Sequence, residues 1–182
     1  EAHHESGRLD GAIGIQFSDV DFGAEGDEAF ISATNTQDTG AFAVERYDLG
    51  TWGLEGGVRF ERRELSNLTA GARKFDNVSA SAGMFVRPAE GWFVGTTLSR
   101  VERAPTAFEL FSDGPHLATA NYELGDVNLS QETATSLEAS VRYQHGPVRF
   151  EMNFYGMEFS DYIALVERGD VWWSDEDTGL SG

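Results

Sequence analysis

The sequence of 182 residues contains no cysteine and only 4 prolines. The absence of cysteine excludes a disulfide framework and any site built on a thiolate. Basic residues are also scarce, since 13 Lys and Arg stand against 31 Asp and Glu and the formal net charge is −18. This charge argues against nucleic acid as a main partner. No run approaches the roughly 18 consecutive apolar residues of a membrane helix, and the opening residues do not resemble a signal peptide.

What the sequence does contain is alternation of apolar and polar residues, the period of a β-strand with one apolar face. The clearest example is 137–154, where two alternating runs flank the turn Gln-His-Gly-Pro. Strands are predicted at 11–22, 40–48, 53–64, 79–87, 92–103, 134–145 and 147–163, with part of an eighth in 1–5. No segment has a sustained helical period, so the fold class is predicted to be all-β, antiparallel and up-and-down.

The connections between these strands alternate in length. Short turns are predicted at about 6–11, 48–51, 88–91 and 144–147, and long loops at about 23–39, 65–78, 104–133 and 164–182. In an up-and-down sheet this places all short turns at one end. Outer-membrane β-barrels have that polarity, with short periplasmic turns and long extracellular loops.

The apolar side chains fit the same interpretation. The residues predicted to contact lipid in the last hairpin are Leu137, Val141, Phe150, Met152 and Phe154, and the aromatic residues that flank the short turns as an interfacial girdle are Tyr47, Trp52, Trp92 and Tyr143. Interfacial aromatic belts are typical of membrane proteins. A soluble β-sandwich would show the same alternation, because it also has one apolar face on each sheet.

The number of strands is small for a membrane barrel. Bacterial barrels have even strand numbers from 8 upward, and a closed barrel has no edge strands. Seven full strands and part of an eighth, followed by a polar end, therefore predict that residues 1–182 form one partial β-barrel domain of a larger barrel.

The segment 99–145 resembles the barrel of TonB-dependent outer-membrane receptors. The residues that carry the resemblance are Arg103, Pro105, Glu109, Leu110, Phe111, the Gly-Pro-His-Leu-Ala-Thr loop at 114–119, the Gly-Asp-Val-Asn-Leu turn at 125–129, Glu132 and Thr133. The resemblance implies a barrel of about 22 strands closed by a plug domain in the bacterial outer membrane. It also implies energised uptake driven by a periplasmic TonB-type partner that acts through the plug, which this sequence lacks.

The implied solute is a metal ion or a metal chelate, either zinc or iron bound to a siderophore. The candidate substrate and metal residues are His116, Asp113, Glu109 and Glu123, because imidazole and carboxylate groups bind such metals. The Gly-Pro-His-Leu-Ala-Thr context is similar to receptors of the zinc-uptake branch. A histidine that packs against the plug or forms hydrogen bonds within its loop is the alternative. His3, His4 and His145 lie near the short turns and are predicted to face the periplasm.

Arg103 and Glu109 are predicted to contact the plug or to stabilise the base of the loop. No catalytic motif is present, so the chain is predicted not to be an enzyme, and no cofactor is expected beyond a transported metal. Two alternatives remain at this point: a passive porin-type barrel, and a secreted β-sandwich that binds carbohydrate.

Overall fold

A computed structural model describes residues 1–26, 29–116, 121–167 and 169, and the backbone of 174–175 and 180–181. The elements are β1 (Ala2–Ser6), β2 (Leu9–Phe22), β3 (Thr34–Asp48), β4 (Trp52–Asn67), β5 (Gly71–Val86), β6 (Trp92–Arg103), α1 (Ala107–Phe111), β7 (Asp113–His116), β8 (Asn121–Leu124), β9 (Glu132–His145), β10 (Val148–Ser160), β11 (Ser174–Asp175) and β12 (Leu180–Ser181). Among the described residues, no helix is long and apolar enough to cross a membrane.

Eight strands form one antiparallel sheet in the order β1-β2-β3-β4-β5-β6-β9-β10. Each strand pairs with the next strand of this order, and β1 and β10 form the two edges. The other two sheets of the described chain, β7-β8 and β11-β12, have two strands each. The predicted fold class, all-β and up-and-down, is therefore confirmed.

One face of the large sheet, named here the outward face, is apolar and uncovered. Cross-strand partners share a face, and the register places Val58 beside Ala43 on one side and Ala80 on the other. Residues of this face between 52% and 58% exposed include Ile13, Val58, Leu98, Leu137 and Phe154. A β-sandwich would bury these side chains under a second sheet, and no such layer covers them within the described chain.

The strands extend further than their apolar alternation indicates. The predicted long loop at 65–78 is wrong, because β4 continues to Asn67 and β5 begins at Gly71. In this extension the outward face carries cross-strand ion pairs, Arg62–Asp76 at 2.6 Å and Lys74–Glu64 at 2.9 Å. Because these outward positions carry charged instead of apolar side chains, the sequence of the extension lacks the apolar alternation that predicts a strand.

The other connections differ from the predicted loops by a few residues. The loop predicted at 23–39 is shortened to 23–33, and that predicted at 104–133 to 104–131, because β3 and β9 begin earlier. The strand predicted to reach 163 ends at Ser160. Much of the loop predicted at 164–182 lies outside the described residues.

The short connections at 7–8, 49–51, 87–91 and 146–147 lie at one end of the sheet, named here the turn end. One of them requires glycine for two reasons. Gly91 has φ +81°, and a Cβ atom at this position would lie 2.6 Å from the carbonyl oxygen of Gln144. A side chain at position 91 would therefore disturb both the turn and the neighbouring hairpin.

The opposite end, named here the loop end, contains a small hydrophobic core. Its buried members are Ile31, Leu65, Phe75, Ala104, Leu110 and Phe111. Leu65 and Phe75 come from the inner face of the sheet, opposite the outward face, whereas Leu110 and Phe111 come from α1. The α1 part of the loop 104–131 thus folds back against the inner face.

The inner face at the turn end combines aromatic rings with arginines. Phe85 covers Gly53, where a Cβ atom would lie 2.3 Å from its ring. The guanidinium carbons of Arg46 and Arg87 lie 4.6 and 4.7 Å from the centre of the Phe85 ring. Such cation–π contacts stabilise charged side chains beside aromatic rings. This face therefore combines apolar and charged groups and differs from a purely hydrophobic core.

We expect Leu110→Ala to loosen the folded loop, because Leu110 is 1% exposed in the core of the loop end. Buried Leu→Ala changes cost about 2–5 kcal/mol. Hydrogen exchange of residues 104–116 in the full-length protein would report this as lost protection. Leu68→Ala is the matched control, since Leu68 is 84% exposed. Equal protection in the two variants would contradict the assignment of this core.

Candidate functional site

Arg103, the last residue of β6, joins three segments at the loop end. Its Nη1 atom donates to Glu109 Oε2 at 2.9 Å, and its Nη2 atom donates to Glu132 Oε2 at 3.4 Å. Glu132 also accepts a hydrogen bond of 2.9 Å from the backbone N–H of Ile163. Arg103 therefore connects α1, the start of β9 and the segment that follows β10.

Glu109 also helps to cap the start of the helix α1. The Thr106 side chain accepts from the backbone N–H of Glu109, and the Glu109 carboxylate accepts from the backbone N–H of Thr106 at 2.7 Å. This capping box satisfies two of the free donors at the start of the helix. Burial raises the pKa of Glu109, but the hydrogen bonds from Arg103 and Thr106 together lower it by a larger amount, so the pKa lies below its ordinary value.

His116 and Glu123 are diagonal neighbours in the β7-β8 hairpin, where the register pairs His116 with Asn121 and Glu123 with Gly114. His116 Nδ1 lies 2.6 Å from Glu123 Oε1, and both side chains are partly buried. In the same hairpin the Tyr122 hydroxyl donates to Asp113 Oδ1 at 2.8 Å. This hydrogen bond raises the pKa of Tyr122, because it favours the protonated phenol.

Four rings in contact, named here the aromatic ladder, connect this hairpin to the rest of the loop end; Phe22 meets Phe108 edge to face, and the other two contacts are stacked. The ring centres are separated by 5.2 Å for Phe22–Phe108, 5.8 Å for Phe108–Phe30 and 4.5 Å for Phe30–His116. The backbone N–H of Asp113 also donates to the Phe30 carbonyl at 2.7 Å. The ladder joins the end of β2, the link 23–33, α1 and the hairpin into one unit.

Of the predicted metal candidates, the structure brings His116 and Glu123 together and places Asp113 in the same hairpin. Glu109 instead belongs to the Arg103 network. Within the described part of the chain, no group of three His, Asp or Glu side chains is arranged to hold a metal ion. Residues 117–119 of the predicted Gly-Pro-His loop lie outside the described residues.

The sequence did not single out the ladder residues Phe22, Phe30 and Phe108. The available signal was the presence of phenylalanines in segments otherwise rich in Gly, Asp and Glu. Their meeting depends on how the link 23–33 and the loop 104–131 fold back. That information is not contained in local periodicity.

The predicted girdle residues lie on the outward face near the turn end. Trp92 and Tyr143 are cross-strand partners with ring centres 4.9 Å apart, and Tyr47 and Trp52 are each 42% exposed. The last hairpin places the remaining predicted residues on this face, because the register pairs Phe150 with Tyr143, Met152 with Val141 and Phe154 with Ala139.

Comparisons with known proteins agree with this architecture. A family model described as TonB dependent receptor-like, beta-barrel, matches residues 4–174. The chain is also similar to a solved structure of the FrpB iron transporter from Neisseria meningitidis (F3-3 variant), with 17% sequence identity and a TM-score of 0.63. The match covers 86% of this chain but only 27% of that transporter. At this identity the likeness shows a shared fold.

We expect the Glu109–Arg103 pair to make the loop sensitive to acid. The folded-state pKa of Glu109 lies below the ordinary 4.5, so the pair stabilises the fold fully above about pH 4.5, and this contribution is lost as the pH falls through the lowered pKa. The backbone N–H of Asp126 donates to the Glu109 carbonyl at 2.9 Å. A spin label at Val127→Cys, in a full-length protein with no other cysteine, should therefore gain mobility in acid.

In Glu109→Gln the same label should be more mobile at neutral pH and should lose most of its response to acid. Glu64→Gln is the control, because Glu64 is an ion-paired carboxylate of the outward face, 49% exposed. A wild-type titration curve in Glu109→Gln would refute the role of this pair.

Proposed function

The chain belongs to the family of TonB-dependent receptor β-barrels, and on that premise we propose that it forms part of an outer-membrane receptor for energised uptake of a metal ion or metal chelate. The family comprises receptors and transporters, not enzymes. The single observation that carries the proposal is the match of residues 4–174 to the family model. The uncovered apolar sheet face supports it.

Several features support a location in the outer membrane. The outward face exposes Ile15 at 85% and Phe17 at 69%, which water would solvate poorly and hydrocarbon would solvate well. The aromatic girdle lies at the turn end, where membrane barrels carry one of their two interfacial belts. We therefore propose outer-membrane lipid as the surroundings of this face and the periplasm as the side of the turns.

The proposed partners follow from the family. Its members work with a TonB-type energy coupler, which acts through a plug domain. The structurally similar FrpB is named an iron transporter, and this supports iron, free or chelated, as a candidate solute. A zinc solute is supported only by the residue types at the loop end.

His116 and Glu123 are the proposed substrate contacts, with Asp113 in the same hairpin. Imidazole nitrogen and carboxylate oxygen are common ligands of zinc and iron. Two protein groups leave further coordination positions for a chelator or for other residues. Glu109 is proposed only as a loop anchor, since Arg103 and Thr106 already bind its carboxylate.

The two alternative functions have less support. A passive porin would need an open mouth, whereas α1 here packs against the inner face. A secreted β-sandwich would need a second layer over the apolar face. Membership of the receptor family favours energised uptake over both.

We expect uptake of radioactive iron or zinc by cells that carry the full-length receptor to stop when the proton-motive force is collapsed. The reason is that a TonB-type coupler draws on that force, whereas a porin does not. Cells without the receptor provide the background. Uptake that continues at an unchanged rate after collapse would contradict the proposal and favour the porin. Growth under separate iron and zinc starvation would identify the solute.

We expect His116→Ala to weaken binding of the transported solute by on the order of 10-fold or more, since changes around metal ligands commonly cost 10- to 100-fold. Calorimetry with the iron or zinc form identified by the starvation test would measure this. His145→Ala is the control, because His145 lies at the opposite end of the sheet and its side chain is 61% exposed. Unchanged affinity in His116→Ala would remove His116 from the site.

A further inference from the structure

Two ionisable residues, His4 and Glu45, interrupt the apolar part of the outward face. Between the aromatic girdle and the charged residues nearer the loop end, the other outward-facing positions of the described sheet are apolar, glycine or threonine. The register places His4 beside Gly11, Gly11 beside Glu45, and Glu45 beside Gly56. The pair therefore spans three neighbouring strands, from β1 across β2 to β3, on the side of the apolar surface nearer the turn end.

The Glu45 side chain lies across β2 to reach β1. Its Oε2 atom is 3.0 Å from Nε2 of His4, and a Cβ atom at Gly11 would lie only 2.5 Å from that oxygen. On the other flank, a Cβ atom at Gly56 would approach only the carbonyl oxygen of Ser81, at 3.2 Å. Glycines on both sides thus form a shallow recess with a carboxylate at its base.

The pair leaves the carboxylate with unused capacity for hydrogen bonds. An ionised carboxylate has about four acceptor positions, and His4 is the one hydrogen-bond partner of the Glu45 side chain in the described residues. No Lys or Arg of the described chain forms an ion pair with Glu45. Its side chain remains 43% exposed, so an external donor has access to it.

An ionised group on a lipid-facing surface is costly, and such groups commonly have a function. The chemistry of this recess fits a cation that donates hydrogen bonds. A primary ammonium group has three N–H donors, whereas a trimethylammonium group has none. The recess extends over only about two strand spacings of about 4.8 Å each. That is the size of a lipid headgroup, whereas a stable protein interface needs roughly 1,000 Å².

We propose that Glu45, positioned by His4 and Gly11, binds the ammonium group of an ethanolamine phospholipid in the leaflet at the turn end of the barrel. The acyl chains would then lie along the neighbouring apolar surface of Ile13, Ala43 and Val58. This inference rests on the proposed function, because it requires that the outward face contacts lipid.

The test uses the full-length receptor in nanodiscs that contain phosphatidylethanolamine or phosphatidylcholine, with lipid retention measured by native mass spectrometry. We expect Glu45→Gln to retain about tenfold less phosphatidylethanolamine, the effect of losing one charge-assisted hydrogen bond. Phosphatidylcholine retention should be low in both proteins. Gly11→Ala should reduce phosphatidylethanolamine retention as well, because the added methyl group displaces the carboxylate.

Glu55→Gln is the matched control, since Glu55 pairs with Arg46 in the register and lies on the inner face at a similar height. It should retain phosphatidylethanolamine as the wild type does. Equal retention in Glu45→Gln and wild type, or equal retention of the two lipids, overturns the inference while the proposed function stands. A receptor that enters neither kind of nanodisc overturns both.

Discussion

The structure depends on one constraint, the continuous antiparallel register of eight paired strands. Successive side chains of a strand point to opposite faces, so a slip of one residue would exchange the two faces of that strand. The register sets Leu54 between Tyr47 and Met84, and the same relation repeats from β1 to β10. The separation of an apolar outward face from a charged inner face follows directly from it.

The strongly acidic composition is compatible with this arrangement because the charges are placed selectively. On the inner face, Arg63 binds Asp38 at 2.7 Å, and Arg87 binds Asp48 at 2.9 Å. On the outward face, ion pairs occur mainly near the loop end, beyond the apolar residues. A membrane barrel needs an apolar surface only as tall as the hydrocarbon layer, so a low overall hydrophobicity does not conflict with a position in lipid.

The candidate site at the loop end stands on a packed base. The small core beneath it includes Leu65 and Leu110, each 1% exposed, and Arg103 ties α1 to the start of β9. In the aromatic ladder, the ring of His116 stacks on the ring of Phe30. A binding group held in this way loses less conformational freedom when it meets a ligand, which favours affinity.

The sequence by itself determined the all-β class, the short turns of the turn end and the apolar face of the last hairpin, because strand alternation and turn chemistry are local properties. It misplaced the loop at 65–78, because charged residues such as Lys74 and Glu64 occupy outward positions there, and the apolar alternation that predicts a strand is absent. Only the tertiary structure decided that Phe30 stacks on His116, and that His4 meets Glu45 across 41 residues of sequence. Contacts of this kind depend on which strands and loops become neighbours, and periodicity within a single segment carries no record of that.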